Sequence, residues 1–253
     1  MLARLRNRIA TARGVTRSLR TYYRPSHLAA MTAFYRTIVK PGDLVFDIGA
    51  HVGDRVLAFR RLGCRVVALE PQPALAFTLR RLYGRNPGVS IVQAAVSDEP
   101  GSLRLRINTR NPTVSTASSA FVDAAQAGAV GWGGQVWDED IHIDAVTLDG
   151  LIARYGLPSF VKIDVEGLED RVLAGLSHPV PALSFEFTTH QRDVALNALR
   201  LARAKGFAVF NACLGESWQK AFADACGFDA MASWLASLPD EANSGDIYCY
   251  RND

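Results

Sequence analysis

The chain has 253 residues, 49% of them apolar and 21% charged, with a net charge of +3. This is enough for one large α/β domain, or for one domain with an attached arm, and it supports a real core with a water-facing surface. No run approaches the roughly 20 apolar residues that span a bilayer, and the basic start is not followed by the apolar stretch and small-residue cleavage site of a secretory signal.

The four cysteines, Cys64, Cys213, Cys226 and Cys249, form no C-x-x-C pair and have no metal-ligand spacing to a histidine. They read as free, mostly buried thiols in a reducing, cytoplasmic compartment. Charge is unevenly placed: residues 1–40 carry eight Arg, one Lys and no acid, and the remainder is net −6. The bland reading is a solvated helix on the domain edge; the functional one is peripheral contact with an anionic partner. We expect a basic helical arm over residues 1–40 and one catalytic domain over 41–253.

Residues 1–20 predict an amphipathic helix interrupted at Pro25, and His27 to Val39 a second helix ending before Pro41-Gly42. From Leu44 the texture changes. Strands are expected at 44–48, 65–69 and 89–94, with helices at 53–62 and 73–84 between them. Leu103 to Ile107 alternates as a half-exposed strand. Residues 108–140, rich in Ser, Thr, Ala, Gly and Asn, read as a long functional or mobile loop. Helix 148–155, strand 160–165, helix 168–176, strand 183–187, helix 191–205 and strand 207–212 follow. A helix over 218–237 and a short strand 247–250 close the chain. Alternation at this spacing predicts βαβ units, a mostly parallel sheet and a Rossmann-like fold.

The segment Asp47-Ile48-Gly49-Ala50-His51-Val52-Gly53-Asp54 joins the first strand to its helix. Gly49 permits a tight turn and close approach of a ligand to the main chain, and Gly53 opens the helix. Glu70 stands 21 positions after Gly49 at the end of the second strand, where a carboxylate accepts both ribose hydroxyls of an adenosine cofactor. NAD and S-adenosylmethionine both fit that pair. Two details favour S-adenosylmethionine: the turn opens on the carboxylate of Asp47, useful beside a sulfonium and repulsive beside a pyrophosphate, and the G-x-G-x-x-G spacing that a pyrophosphate needs is absent. The structural alternatives are a helix-capping Asp47 and an exposed strand-end Glu70.

The blocks Asp47-Ile48-Gly49-Ala50, Leu69-Glu70-Pro71, Ala95-Val96-Ser97-Asp98, Thr147-Leu148-Asp149 and Val161-Lys162-Ile163-Asp164-Val165-Glu166-Gly167 resemble the FkbM-type methyltransferases in order and spacing over roughly residues 42–187. His51 departs from the Asn usual in that family's turn. The resemblance implies the seven-stranded class I methyltransferase sheet with an antiparallel final strand, S-adenosylmethionine as cofactor, and a hydroxyl of a sugar, glycan or secondary metabolite as acceptor. It also points to cofactor contacts from Asp47, Gly49, Ala50, His51, Gly53, Glu70, Pro71, Ala95, Val96 and Asp164.

Asp164 and Glu166 lie at the carboxyl end of a strand, where open α/β sheets bind ligands. Asp164 is the first candidate for the cofactor's methionyl end or the acceptor, and Glu166 the second; the competing role for Asp164 is capping the next helix. Lys162 is expected to pair with a carboxylate. His190, four positions after Glu186, is a candidate base for a hydroxyl, though a lone loop histidine, like His142 and His51, is more often plain surface. No metal site is expected, since no dense carboxylate cluster is visible; a divalent cation on Asp164, Glu166 and Glu186 is the alternative. Ser115, Ser118 and Ser119 could line an acceptor pocket, and Trp132 and Trp137 could stack on a sugar.

Three rivals stay in view: an NAD-dependent oxidoreductase, a methyltransferase-like module without activity, and a nucleic-acid methyltransferase. The last would carry an Asn/Asp-Pro-Pro-Tyr/Phe block where this chain has Asp164-Val165-Glu166-Gly167, so no nucleic-acid partner is expected. Oligomerisation is left open.

Overall fold

The computed structural model describes residues 2–252. Its strands in chain order are β1 (Leu44–Ile48), β2 (Arg65–Leu69), β3 (Val89–Val92), β4 (Ala95–Val96), β5 (Gly101–Ile107), β6 (Glu139–Val146), β7 (Phe160–Ile163), β8 (Ala182–Thr188), β9 (Phe207–Leu214) and β10 (Ser244–Arg251). The helices are α1 (Leu2–Tyr22), α2 (Pro25–Tyr35), α3 (Asp54–Arg61), α4 (Pro73–Tyr83), α5 (Ser119–Gln126), α6 (Leu148–Tyr155), α7 (Glu169–Ala174), α8 (Arg192–Ala204) and α9 (Phe228–Ser237).

Seven strands form the main sheet in the order β3-β2-β1-β7-β8-β10-β9. Neighbours from β3 to β8 pair in parallel, and β10 lies antiparallel between β8 and β9. The expected sheet, with its antiparallel final strand, is the one observed. β4, β6 and β5 form a separate small sheet.

The central strands are short apolar runs because both faces are covered. Side chains alternate between the faces. Leu44, Phe46 and Ile48 join one core with Val161, Leu173 and Leu199, while Val45 joins the other with Met31, Tyr35, Val56 and Phe59. Asp47 shares the second face, and its register partner on the neighbouring strand is Lys162. The alternation therefore brings two ionisable residues together inside the molecule.

Residues 25–39 enter the second core: Met31 and Tyr35 are fully buried and Val39 packs beside them. Two expectations change. The stretch 108–140 is not one loop, since it holds α5 and runs into β6. The helix expected from 218 begins at Phe228; before it, Lys220 and Cys226 bridge to Cys213 and Phe210 of β9. Among the described residues no helix is long and apolar enough to cross a membrane.

Candidate functional site

A cavity opens outside the carboxyl ends of β1, β2 and β7, the edge at which open α/β sheets bind ligands. It encloses about 890 Å³ counting its open mouth. Gly49, His51, Glu70, Pro71, Ala95, Val96, Asp164 and Glu166 line it. Asp47, Ala50 and Gly53 are not among its lining residues.

The turn after β1 works only with glycine at 49. Its φ is +83°, and a Cβ there would fall 1.8 Å from the Asp164 carbonyl oxygen. The two strand ends that carry the site are thus locked together, with the Asp164 amide donating to the Ile48 carbonyl at 2.9 Å. His51 is also left-handed, at φ 48°, a conformation Asn and His tolerate better than most residues. The His51 ring packs edge-on against Tyr22, with centroids 5.3 Å apart, and burial lowers its pKa to about 4, so it is neutral.

Glu70 is buried at 3% exposure. Its carboxylate accepts from the His51 amide at 2.9 Å and the Gln72 amide at 2.8 Å. Burial raises its pKa to about 8 against these two hydrogen bonds, with Asp47 and Asp164 adding to the rise. The exposed strand-end alternative therefore does not describe Glu70. Asp47 does not cap a helix: α3 is capped by Gly53 without a side-chain bond, and both Asp47 oxygens lack a hydrogen-bond partner among the described residues. Burial raises Asp47 to about 7, opposed first by Arg55.

The other end of the cavity is built from β7 and β8. Lys162, fully buried, donates to the Ile163 carbonyl at 3.1 Å and lies 2.8 Å from Asp246 Oδ1 and 3.3 Å from Asp164 Oδ2. Burial pushes Asp164 up, but Lys162 and Arg55, then a hydrogen bond with Glu186, outweigh it and hold Asp164 below the usual carboxylate range. Asp164 makes no cap to α7. That end of the chain is held by Glu169, which accepts from the Val165 and Gly167 amides at 3.1 Å each. Glu166 takes a left-handed backbone, φ 56°, and its Oε2 is buried without a partner. Burial and the neighbouring Asp164 raise both Glu166 and Glu186 well above the usual carboxylate range.

The three carboxylates weighed as an alternative cation site do come together. Asp164, Glu166 and Glu186 each bring an oxygen within 4.8 Å of the others. Residues 164 and 166 are joined to 186 by the pairing of β7 with β8. The same trio could hold a divalent cation, although Lys162 already supplies Asp164 with positive charge.

His190 does not reach the cavity, which corrects the expectation of a base there. Its ring packs between Phe121 and Trp132, centroids 4.9 and 4.6 Å away, and burial lowers its pKa to about 4. The tryptophans are committed to packing rather than to a sugar: Trp132 Nε1 donates to Asn243 Oδ1 at 3.0 Å, and Trp137 Nε1 to the Val114 carbonyl at 2.9 Å. Ser118 caps α5, while Ser115 lines the cavity.

Tyr22, Arg55, Gln72 and Glu216 also line the cavity, and sequence reasoning missed them. Arg55 was open to prediction, being the second residue of the helix that follows the glycine turn. Tyr22 and Glu216 come from distant segments and carry no local signal.

The sheet order with its antiparallel β10, the glycine turn and the acid after β2 define the class of S-adenosylmethionine-dependent methyltransferases. Comparison with known proteins narrows this. A family profile described as "Methyltransferase FkbM domain" matches residues 47–208, and the chain belongs to that family. The 31-O-demethyl-FK506 methyltransferase FkbM of Streptomyces tacrolimicus is 34% identical over 167 residues, 54% of this chain and 61% of that relative. The present chain thus spans about three fifths of that protein's length. Two solved structures superpose more loosely. A precorrin-6y C5,15-methyltransferase from Geobacter metallireducens has 12% identity and TM-score 0.44, covering 89% of this chain and 87% of its own. A TehB-like S-adenosylmethionine-dependent methyltransferase from Corynebacterium glutamicum has 10% identity and TM-score 0.46, covering 93% and 94%. Likeness at that level says nothing of the reaction.

Proposed function

We propose that the protein transfers a methyl group from S-adenosylmethionine to a hydroxyl oxygen of a sugar, glycan or secondary metabolite. The observation that carries this reading is the division of one cavity. Glu70 stands at one end and the Asp164, Glu166 and Glu186 carboxyls at the other, two strands away across β1, a distance of roughly 10 Å at the usual strand spacing. That span suits a nucleoside whose ribose meets Glu70 and whose sulfonium end meets Asp164. The residues present fit the group: a glycine turn without a Cβ, a buried acid held by two amides, and an orphaned Glu166 oxygen. The name of the Streptomyces relative, an O-methyltransferase, supports oxygen as the acceptor atom.

Bound S-adenosylmethionine supplies an electrophilic methyl on sulfur. Glu70 would accept from the ribose hydroxyls. Asp164, kept ionised by Lys162 and Arg55, would hold the methionyl end. Glu166, in its ionised form, would take the proton of the acceptor hydroxyl, because its raised proton affinity suits that transfer better than an ordinary carboxylate. Fixing the acceptor oxygen in line with the sulfur–methyl bond lowers the barrier by several kcal/mol, up to about 7–11 in ideal cases. Incubation with isotopically labelled S-adenosylmethionine and a panel of hydroxylated sugars and macrolides tests the reading. Mass spectrometry should place the label in a methyl ether; label on nitrogen or carbon contradicts it.

Glu70→Ala should weaken S-adenosylhomocysteine binding by about 1–3 kcal/mol, the usual cost of a lost charge-assisted hydrogen bond. The pH dependence follows from the same group. In the free protein Glu70 is protonated below about 8, and ribose hydroxyls favour its ionised form. Binding then releases a proton, so affinity should climb with pH below about 8, approaching tenfold per unit, and level off above it. Titration calorimetry across that range checks this; a flat profile removes Glu70 from the ribose.

A further inference from the structure

The residues lining the cavity carry five carboxylates, Glu70, Asp164, Glu166, Glu186 and Glu216, and a single guanidinium, Arg55. Any anionic group of a ligand must therefore turn to Arg55 or meet repulsion. Arg55 stands in the first turn of α3, just past the glycine turn. Its Nη2 lies 3.8 Å from Asp164 Oδ2 and 3.3 Å from Glu216 Oε1, and its Nε is buried without an acceptor. A cation and an anion thus stand side by side at the end of the cavity opposite Glu70. An α-amino acid presents the complementary pair on one carbon.

We infer that Arg55 and Asp164 form the subsite for the amino-acid end of the cofactor, Arg55 taking the α-carboxylate and Asp164 the α-ammonium. The inference rests on the S-adenosylmethionine reading above. Glu216 is the exchangeable counter-ion. Its side chain is one-third exposed and has a second partner in His27, whose Nε2 lies 3.0 Å away. Glu216 therefore keeps a polar partner in His27 when the ligand carboxylate displaces it from Arg55. The arrangement selects an intact amino acid over truncated nucleosides, which would leave Asp164 and Arg55 closed on each other.

Calorimetry on the full chain with three ligands tests this: S-adenosylhomocysteine, its decarboxylated analogue, and 5′-methylthioadenosine, which lacks the whole amino-acid end. The wild-type protein should bind the decarboxylated analogue about 10- to 100-fold more weakly than S-adenosylhomocysteine, as expected for a lost hydrogen bond between charged groups. Arg55→Gln should abolish that preference while leaving 5′-methylthioadenosine affinity within about threefold, a residual binding that also reports the fold. Glu216→Gln, which removes the competing carboxylate, should tighten S-adenosylhomocysteine several-fold and leave 5′-methylthioadenosine unchanged. Equal wild-type affinity for the homocysteine and decarboxylated ligands overturns the subsite but not the cofactor. So does a Glu216→Gln protein with no gain. Binding of none of the three by the wild type overturns the cofactor reading and the subsite with it.

Discussion

An Asp164→Asn protein should fold normally and turn over about 10²–10⁴ times more slowly, the range for losing a general base or an electrostatic anchor. Asn keeps the shape and removes only the charge. That charge is what the surroundings conserve: Lys162 at 3.3 Å and Arg55 at 3.8 Å hold Asp164 ionised against its burial. Without it, Arg55, the one cation lining the cavity, and the buried Lys162 behind it lose the carboxylate between them and the cofactor, and the cofactor's positive centres meet repulsion. The loss should persist at saturating cofactor if Asp164 acts on the transition state, and shift into KM if it acts only in binding. Steady-state kinetics with circular dichroism as a fold control separates these outcomes. Full turnover with the true acceptor would remove Asp164 from the mechanism.

Lys162→Met should cost about 3–5 kcal/mol of stability, the penalty for breaking a buried ion pair and leaving its partners charged. For a chain of this size that is a fall in Tm of roughly 6–20 °C. Lys162 is fully buried. Burial opposes its charge, but Asp164 and Asp246 more than compensate and raise its pKa above the ordinary lysine value. Replacing it leaves Asp246 and Asp164 without their shared cation, and puts Asp47, its register partner, beside a methyl thioether. A Lys162→Met, Asp246→Asn double variant should recover part of the loss, because one orphaned charge goes with its partner. Differential scanning calorimetry measures both; an unchanged Tm in the single variant would show that the buried cation holds nothing together.

The central parallel strands β1 and β7 were readable because each is a short, mostly apolar run buried on both faces and ending at a glycine or a charged residue. Strands Leu44–Ile48 and Arg65–Leu69 and helix Leu148–Tyr155 were placed at the observed bounds. β6 was missed although Glu139–Val146 alternates polar and apolar residues; its neighbours in 108–138 are so rich in small and polar residues that the run read as loop. The helix expected from 218 fails at its start for a tertiary reason: Cys226 and Lys220 find bridge partners on β9, which propensity cannot foresee. In the site, Gly49 and Glu70 were legible because a tight turn and a strand-end acid are local demands. The Asp164–Glu166–Glu186 trio could be named from the sequence only as an alternative, since Glu186 reaches the other two only through the pairing of β7 with β8. Nor was the fate of His190, whose ring is claimed by Phe121 and Trp132 from a segment about 60–70 residues away in the chain.

The central claim is that the cavity edged by Gly49, Glu70 and Asp164 holds S-adenosylmethionine, and thermal unfolding with added nucleotide tests it most directly. At about 100 times its Kd, S-adenosylhomocysteine stabilises a one-site protein by about 2.7 kcal/mol, which should raise Tm by roughly 5–11 °C here. NAD at the same concentration should leave Tm unchanged, and Glu70→Ala should shrink the S-adenosylhomocysteine shift. A Tm raised by NAD and not by S-adenosylhomocysteine would contradict the account.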